Sequence, residues 1–167
     1  LGGNITIRNT VVSGNGNGNS AYDCNGPIIS GDNNIISNTT NCAISPLPAD
    51  QFNVDPLLAA FLPSRGYQPL QINSPAIGTA NPVYCPALDQ RGIERLPAGD
   101  TQCDIGAYEY ATPGAAAIVS AETGVNQRTR VDGDYAEPLG VSVLDAQGSP
   151  VAGESVTFIA PASGPSV

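Results

Sequence analysis

From Leu1 to about Cys42 the apolar residues come as short β-branched groups, among them Ile5, Ile7, Val11, Val12, Ile28, Ile29, Ile35 and Ile36, set in Asn, Gly, Ser and Thr. No group is long enough to build one face of a helix, and Gly, Asn and β-branched residues all disfavour helix. What remains is a chain of very short strands joined by tight turns. Shifting the row by 24 residues brings Asn9 onto Asn33, Val11 onto Ile35, Val12 onto Ile36 and Ser13 onto Ser37. A repeat of that size suits a β-solenoid, where each coil lays its strands on the next and buries a narrow column of small aliphatics. Asn side chains stacked at the turns are then expected to form amide ladders.

Residues 43–110 carry nine prolines, which argues against both a long helix and central sheet strands, so this zone is expected to cover or close the coils. Composition shifts again at Ala111, where Ala-Thr-Pro-Gly reads as a linker over 111–116. Alternating strands are then expected near 118–120, 139–144 and 156–159, with a turn at Asp145-Ala-Gln-Gly148.

Charge and residue usage narrow the chemistry. The formal net charge is −9, and the six cations are all arginine (Arg8, Arg65, Arg91, Arg95, Arg128, Arg130). Such a chain has no basic face for nucleic acid or anionic lipid. His and Lys are absent, which removes the usual acid–base and Schiff-base groups. Neither a run of apolar residues long enough to span a membrane nor a signal peptide is present in the row. A chain lacking Met is expected to be a window on a longer precursor.

Cys24 and Cys42 have the same spacing as Cys85 and Cys103, and neither pair has the spacing of metal ligands. Two local disulfides are the favoured reading, each contributing on the order of 3 kcal/mol and pointing to an oxidising compartment. Four buried thiols, or metal or redox work, are the alternatives.

The segments Asp55-Pro-Leu-Leu58, Ser74-Pro-Ala-Ile-Gly78, Asp89-Gln-Arg-Gly92 and Cys103-Asp-Ile-Gly-Ala-Tyr-Glu-Tyr110 occur in that order. In these segments the chain, from about Ile5 to Tyr110, resembles the right-handed parallel β-helix repeat proteins of the choice-of-anchor type, whose last coils end in such a string. The cysteine placement fits that pattern, and with the low entropic cost of short loops it implies Cys24–Cys42 and Cys85–Cys103 pairing. Gly78 departs from it, since an acidic residue commonly follows Ser-Pro-Ala-Ile. The stretch Leu139–Phe158 resembles the first half of a bacterial immunoglobulin-like domain of the invasin/intimin kind. Far fewer residues follow Pro113 than the roughly 100 of a complete sandwich. The missing strands are expected from the same chain beyond Val167 or from a neighbouring subunit, a disordered tail being the remaining alternative.

The expected fold is therefore all-β: the C-terminal coils and closing segment of a parallel β-helix over 1–110, then an incomplete immunoglobulin-like domain over 117–167. No catalytic, cofactor or metal site is assigned. Asp104 and Glu109 are expected to accept backbone N–H bonds or pair with Arg91 and Arg95, and Arg91 could equally reach turn carbonyls. With Asp89, Gly92, Gly106, Tyr108 and Tyr110 they form a structural motif, the tyrosine rings packing at the solenoid end rather than offering a sugar-stacking platform. Asp132-Gly-Asp134 with Glu137 lacks the EF-hand pattern and reads as an acidic turn. Asn4-Ile-Thr6 and Asn38-Thr-Thr40 match glycosylation sequons that arise readily in such sequence. The function expected is that of a secreted or cell-surface structural or adhesive protein, able to self-associate in a filament or layer. A carbohydrate-active β-helix enzyme and a glycan-binding adhesin are the alternatives.

Overall fold

The computed structural model describes residues 5–16, 22–96, 101–130 and 133–159. Asn4 and Asp132 lie outside the described residues. Within them the structure is all-β: eight short strands and one 3-10 turn at Pro82–Tyr84. No helix among them is long and apolar enough to cross a membrane. The chain divides into two compact units. One holds the described residues up to Phe61 together with Tyr67–Tyr110, and the other holds Leu62–Gly66 with the described residues from Ala111 onward.

The first unit contains two three-stranded parallel sheets. Strands β1 (Ile5–Ile7), β3 (Gly26–Ser30) and β5 (Cys42–Ala43) form one; β2 (Val11–Val12), β4 (Ile35–Ile36) and β6 (Gln51–Phe52) form the other. Each pass of the chain therefore contributes one strand to each sheet. In the second sheet Val11 faces Ile35 and Val12 faces Ile36, and Ser13 bonds to Ser37 across the same 24 residues at 3.0 Å. In the first sheet Ile5 faces Ile28, one residue short of that shift. The difference is absorbed at the corner before β4, where Asp32 and Asn33 both take left-handed φ (76° and 54°), against Asn9 alone (46°) at the preceding corner. Asn tolerates that conformation because its short amide bonds locally.

Ile35 and Ile36 are fully buried, with Leu70, Ala76, Ala80 and Ile105 among the other core residues. The proline-rich segment packs here without regular sheet, through isolated bridges Leu58–Leu70 and Leu88–Glu94. It is tied to itself by hydrogen bonds: Ala80 N–H donates to the Cys103 carbonyl (3.1 Å), Ile105 N–H to that of Ala76 (2.9 Å), and Ser74 Oγ to that of Pro56 (2.6 Å).

The amide-ladder expectation needs correction. Asn9 and Asn33 reach the closing segment rather than each other. Asn9 Nδ2 donates to the Asn81 carbonyl (3.0 Å), its Oδ1 accepts Asn81 N–H (2.8 Å), and Asn33 Nδ2 donates to the Thr79 carbonyl (2.9 Å). A left-handed corner aims the side chain outward along the coil, where the returning chain offers peptide groups.

Disulfides join Cys24 to Cys42 and Cys85 to Cys103, with Cα atoms 5.2 and 6.5 Å apart and each closing a separation of 18 residues. The second ties the 3-10 turn to the start of the closing motif. Replacing both Cys85 and Cys103 by Ser is expected to speed amide exchange in 101–110 while amides of 35–37 stay protected, since ends open before stacked strands. Uniform acceleration over residues 5–110 would contradict this.

In the second unit β7 (Ile118–Thr123) and β8 (Gly140–Leu144) pair antiparallel, with an irregularity between Ala121 and Thr123. The strand expected at 156–159 is not formed. After the turn at 145–148 the chain returns along β8 only as far as Pro150 and Val151. Pro150 has no N–H for the ladder, and Gly153 turns the chain away at φ 82°. Val156, Phe158 and Ile159 are left 37%, 55% and 87% exposed.

Candidate functional site

The closing motif brings five charged side chains into one buried cluster. The turn Asp89-Gln-Arg-Gly92 is held by Gly92 N–H on the Asp89 carbonyl (3.0 Å), with Gly92 at φ 82°. That φ favours glycine over a residue with a Cβ. The Asp89 carboxylate accepts the N–H groups of Arg91 (2.7 Å), Ile93 (3.1 Å) and Glu109 (3.1 Å), and Arg91 Nε donates to it at 2.8 Å. Burial pushes the Asp89 carboxyl upward, but the Glu109 and Ile93 amides and Arg91 outweigh it and hold it below its ordinary 3.8.

Arg91 carries the turn across to the last strand-like segment. Its guanidinium donates to the Glu109 carbonyl (2.6 Å) and the Tyr108 hydroxyl (3.0 Å), lying 3.8 Å over the Tyr108 ring and 5.9 Å from that of Tyr67. Tyr67 and Tyr108 meet at 5.7 Å between ring centres, and both are buried. Tyr108 is thus packed inside, Tyr110 half-buried.

Arg95, only 3% exposed, donates to the carbonyls of Gly106 (2.7 Å) and Asp104 (3.2 Å) and to Glu109 Oε2 (3.0 Å). The same Glu109 oxygen accepts Asp104 N–H at 3.1 Å. Asp104 accepts Tyr110 N–H and, at 2.8 Å, the N–H of Gly78. A small residue with φ 62° therefore stands at the departure noted in the sequence, meeting an acid through its backbone. Gly106 N–H donates to the Asn9 carbonyl (2.9 Å), and a Cβ there would lie 3.1 Å from Val11 Cγ2. The motif consequently rests on the corner between β1 and β2.

Arg91 finds its carboxylate in Asp89 and Arg95 in Glu109, at 2.8 and 3.0 Å. Two guanidinium groups face three carboxylates, so full ionisation would leave one uncompensated negative charge. Burial first, and Asp104 beside it, push Glu109 up to about 7 against the pull of Arg95. Because the folded value exceeds the ordinary 4.5, Glu109 favours folding fully below about pH 4.5, and this contribution is lost between there and about 7. Asp89, shifted downward, acts oppositely, its contribution being lost as the pH falls below 3.8. The motif is expected to resist urea best near pH 4–5 and to lose on the order of 2 kcal/mol by pH 8. Glu109→Gln should flatten that decline; an unchanged slope would contradict the assignment.

The residues missed in the sequence lie deeper. Asn34, fully buried, accepts Thr10 N–H (3.2 Å) and donates to the Ile7 carbonyl (3.2 Å), Ser30 Oγ (3.0 Å) and Asp50 Oδ1 (3.0 Å). Asp50 also accepts Ser30 Oγ–H (2.6 Å) and Leu47 N–H (2.8 Å). Asp23 accepts Asn15 N–H (3.0 Å), Asn38 N–H (2.8 Å) and the Ser37 hydroxyl. The 24-residue shift already sets Thr10 against Asn34, the one signal that could have found it.

Every motif carboxylate engages backbone N–H groups or guanidinium, an arrangement that fixes chain crossings. No group of three or more His, Cys, Asp or Glu among the described residues is placed to hold a metal ion. Comparisons with protein-family models, with curated proteins and with solved structures found no match to this chain.

Proposed function

We propose that the chain is a secreted or cell-surface structural and adhesive protein, made of the end of a right-handed parallel β-helix of the choice-of-anchor type and the first half of a bacterial immunoglobulin-like domain. The observation that carries this reading is the pair of parallel three-stranded ladders built from successive passes of chain and joined to a buried arginine–carboxylate motif. Ladders of this kind give a stiff body whose ends are its weak points, which suits mechanical work. The role is non-catalytic, because the motif acids serve as hydrogen-bond acceptors for the fold.

Two disulfides support an oxidising, extracytoplasmic location. The net charge of −9 supports protein, glycan or self-contacts rather than nucleic acid. The exposed apolar side chains Val156, Phe158 and Ile159 support completion of the second unit by a further strand, from this chain or a neighbouring copy. Thiol-alkylation of intact producing cells followed by fractionation tests the location. Fully disulfide-bonded protein in the surface or extracellular fraction is expected. Four alkylatable thiols in a cytoplasmic fraction would overturn the reading.

A further inference from the structure

Of the chain's arginines, which are its only cations, all but two are held in packed or hydrogen-bonded structure. Arg91 and Arg95 are enclosed in the closing motif, their side chains 5% and 3% exposed. Arg8 lies over the Tyr84 ring at the end of β1, and its neighbours Ile7 and Asn9 bond through their backbones to Gly31 (2.7 Å) and Asp32 (3.4 Å). Arg65 sits in a tight turn between buried Leu62 and Tyr67, where the Arg65 and Gly66 N–H groups both donate to the Leu62 carbonyl (3.0 and 2.8 Å). Arg128 and Arg130 remain, one residue apart in the connection between β7 and β8. There every described residue of 125–139 except Gln127 is exposed. We propose that this connection is a processing site, at which an arginine-specific serine endopeptidase cuts the chain after Arg128 or Arg130. The inference goes beyond the structural and adhesive reading and does not rest on it.

An endopeptidase takes its substrate in an extended form, so a folded chain is cut where residues on both sides of the bond can leave their contacts together. Around these arginines the contacts are few. Thr129 Oγ1 donates to the Asp134 carbonyl (3.2 Å) and Gly133 N–H to the Arg130 carbonyl (3.0 Å). The main restraint is Gln127, whose amide acts as a strand partner for Glu137. Its Nε2 donates to the carbonyls of Glu137 (2.7 Å) and Gly124 (3.0 Å), and its Oε1 accepts the Glu137 N–H (2.8 Å). This clasp pins the base of the loop. Because opening precedes cutting, the clasp sets the rate. The step itself is hydrolysis: the water oxygen bonds to the arginine carbonyl carbon as the C–N bond to the next residue breaks, leaving a carboxylate and a new amino terminus. Both disulfides lie before the cut, and the sheet is two-stranded, so the nick leaves β8 joined to β7 by non-covalent contacts alone. A covalent junction becomes a releasable one.

The folded full chain is digested with a low ratio of trypsin, whose acidic specificity pocket takes a guanidinium, and the fragments are followed over time by mass spectrometry. The first cut is expected after Arg128 or Arg130. Replacing both residues by Gln should slow the first cut about tenfold or more, since the other arginines become accessible only as the structure around them unfolds. Gln127→Ala should speed it about threefold or more, because the lost hydrogen bonds no longer oppose opening. A first cut at Arg8, Arg65, Arg91 or Arg95 would overturn the site. So would a double variant cut as fast as wild type, or a wild-type chain still whole when a urea-unfolded sample is fully digested. Gln127→Ala cut at the wild-type rate would overturn the clasp.

Discussion

Replacing Arg95 by methionine is expected to cost about 3–5 kcal/mol of first-unit stability, because it leaves the buried carbonyls of Asp104 and Gly106 and the Glu109 carboxyl without their common donor. The side chain is almost wholly enclosed and joins three points of the closing motif: the carbonyls of Asp104 and Gly106 and the Glu109 carboxylate. Methionine fills comparable volume, so the loss reads the charge and hydrogen bonds rather than a cavity. Urea unfolding at pH 7 followed by Tyr fluorescence, with exchange at the Asp104 and Tyr110 amides, measures it. The double variant Arg95→Met with Glu109→Gln should lose less than the two single variants added together, since both disturb the same contact. A single variant within about 1 kcal/mol of wild type would show that the cluster does not hold the closing segment.

Asn34→Leu is expected to cost about 3 kcal/mol or more, from a different part of the same unit. The amide serves the Thr10 N–H, the Ile7 carbonyl, Ser30 and Asp50, and its removal leaves several buried polar groups short of a partner. Asn34→Asp keeps the shape but places a carboxylate where Nδ2 stands 3.0 Å from Asp50. It should be as damaging as Asn34→Leu, because a carboxylate then faces Asp50 where an amide donated. Amide exchange at Ile35 and Ser37, whose N–H groups bond to Thr10 and Val12, reports the ladder directly. Protection unchanged in both variants would remove Asn34 from the stack.

The β-branched pairs and the 24-residue shift were enough to place Val11 on Ile35 and Val12 on Ile36, because side-chain alternation and strand stacking are local demands written into neighbouring residues. The spacing of the cysteines favoured two short loops, and the resemblance together with the low entropic cost of closing them implied the pairing the structure has. Gly92 was placed in the sequence only as part of the motif carried by the resemblance; the structure adds its reason, a left-handed φ of 82° in the turn at 89–92.

The choice among partners was decided by the fold. Asp89, Arg91, Arg95, Asp104 and Glu109 could be grouped from the row as one motif, yet which carboxylate met which guanidinium depended on how the turn at 89–92 lay against 104–110. Asn34 and Asn33 are adjacent and chemically identical. Only the corner geometry sent one into the core and the other out to Thr79. The strand expected at 156–159 had the right alternation, but a strand needs a partner at its edge, and Pro150 and Gly153 took the chain away from β8 before it arrived. Local patterns fix what a segment can do, and contacts distant in sequence fix what it meets, because hydrogen bonding and burial are satisfied by neighbours in space.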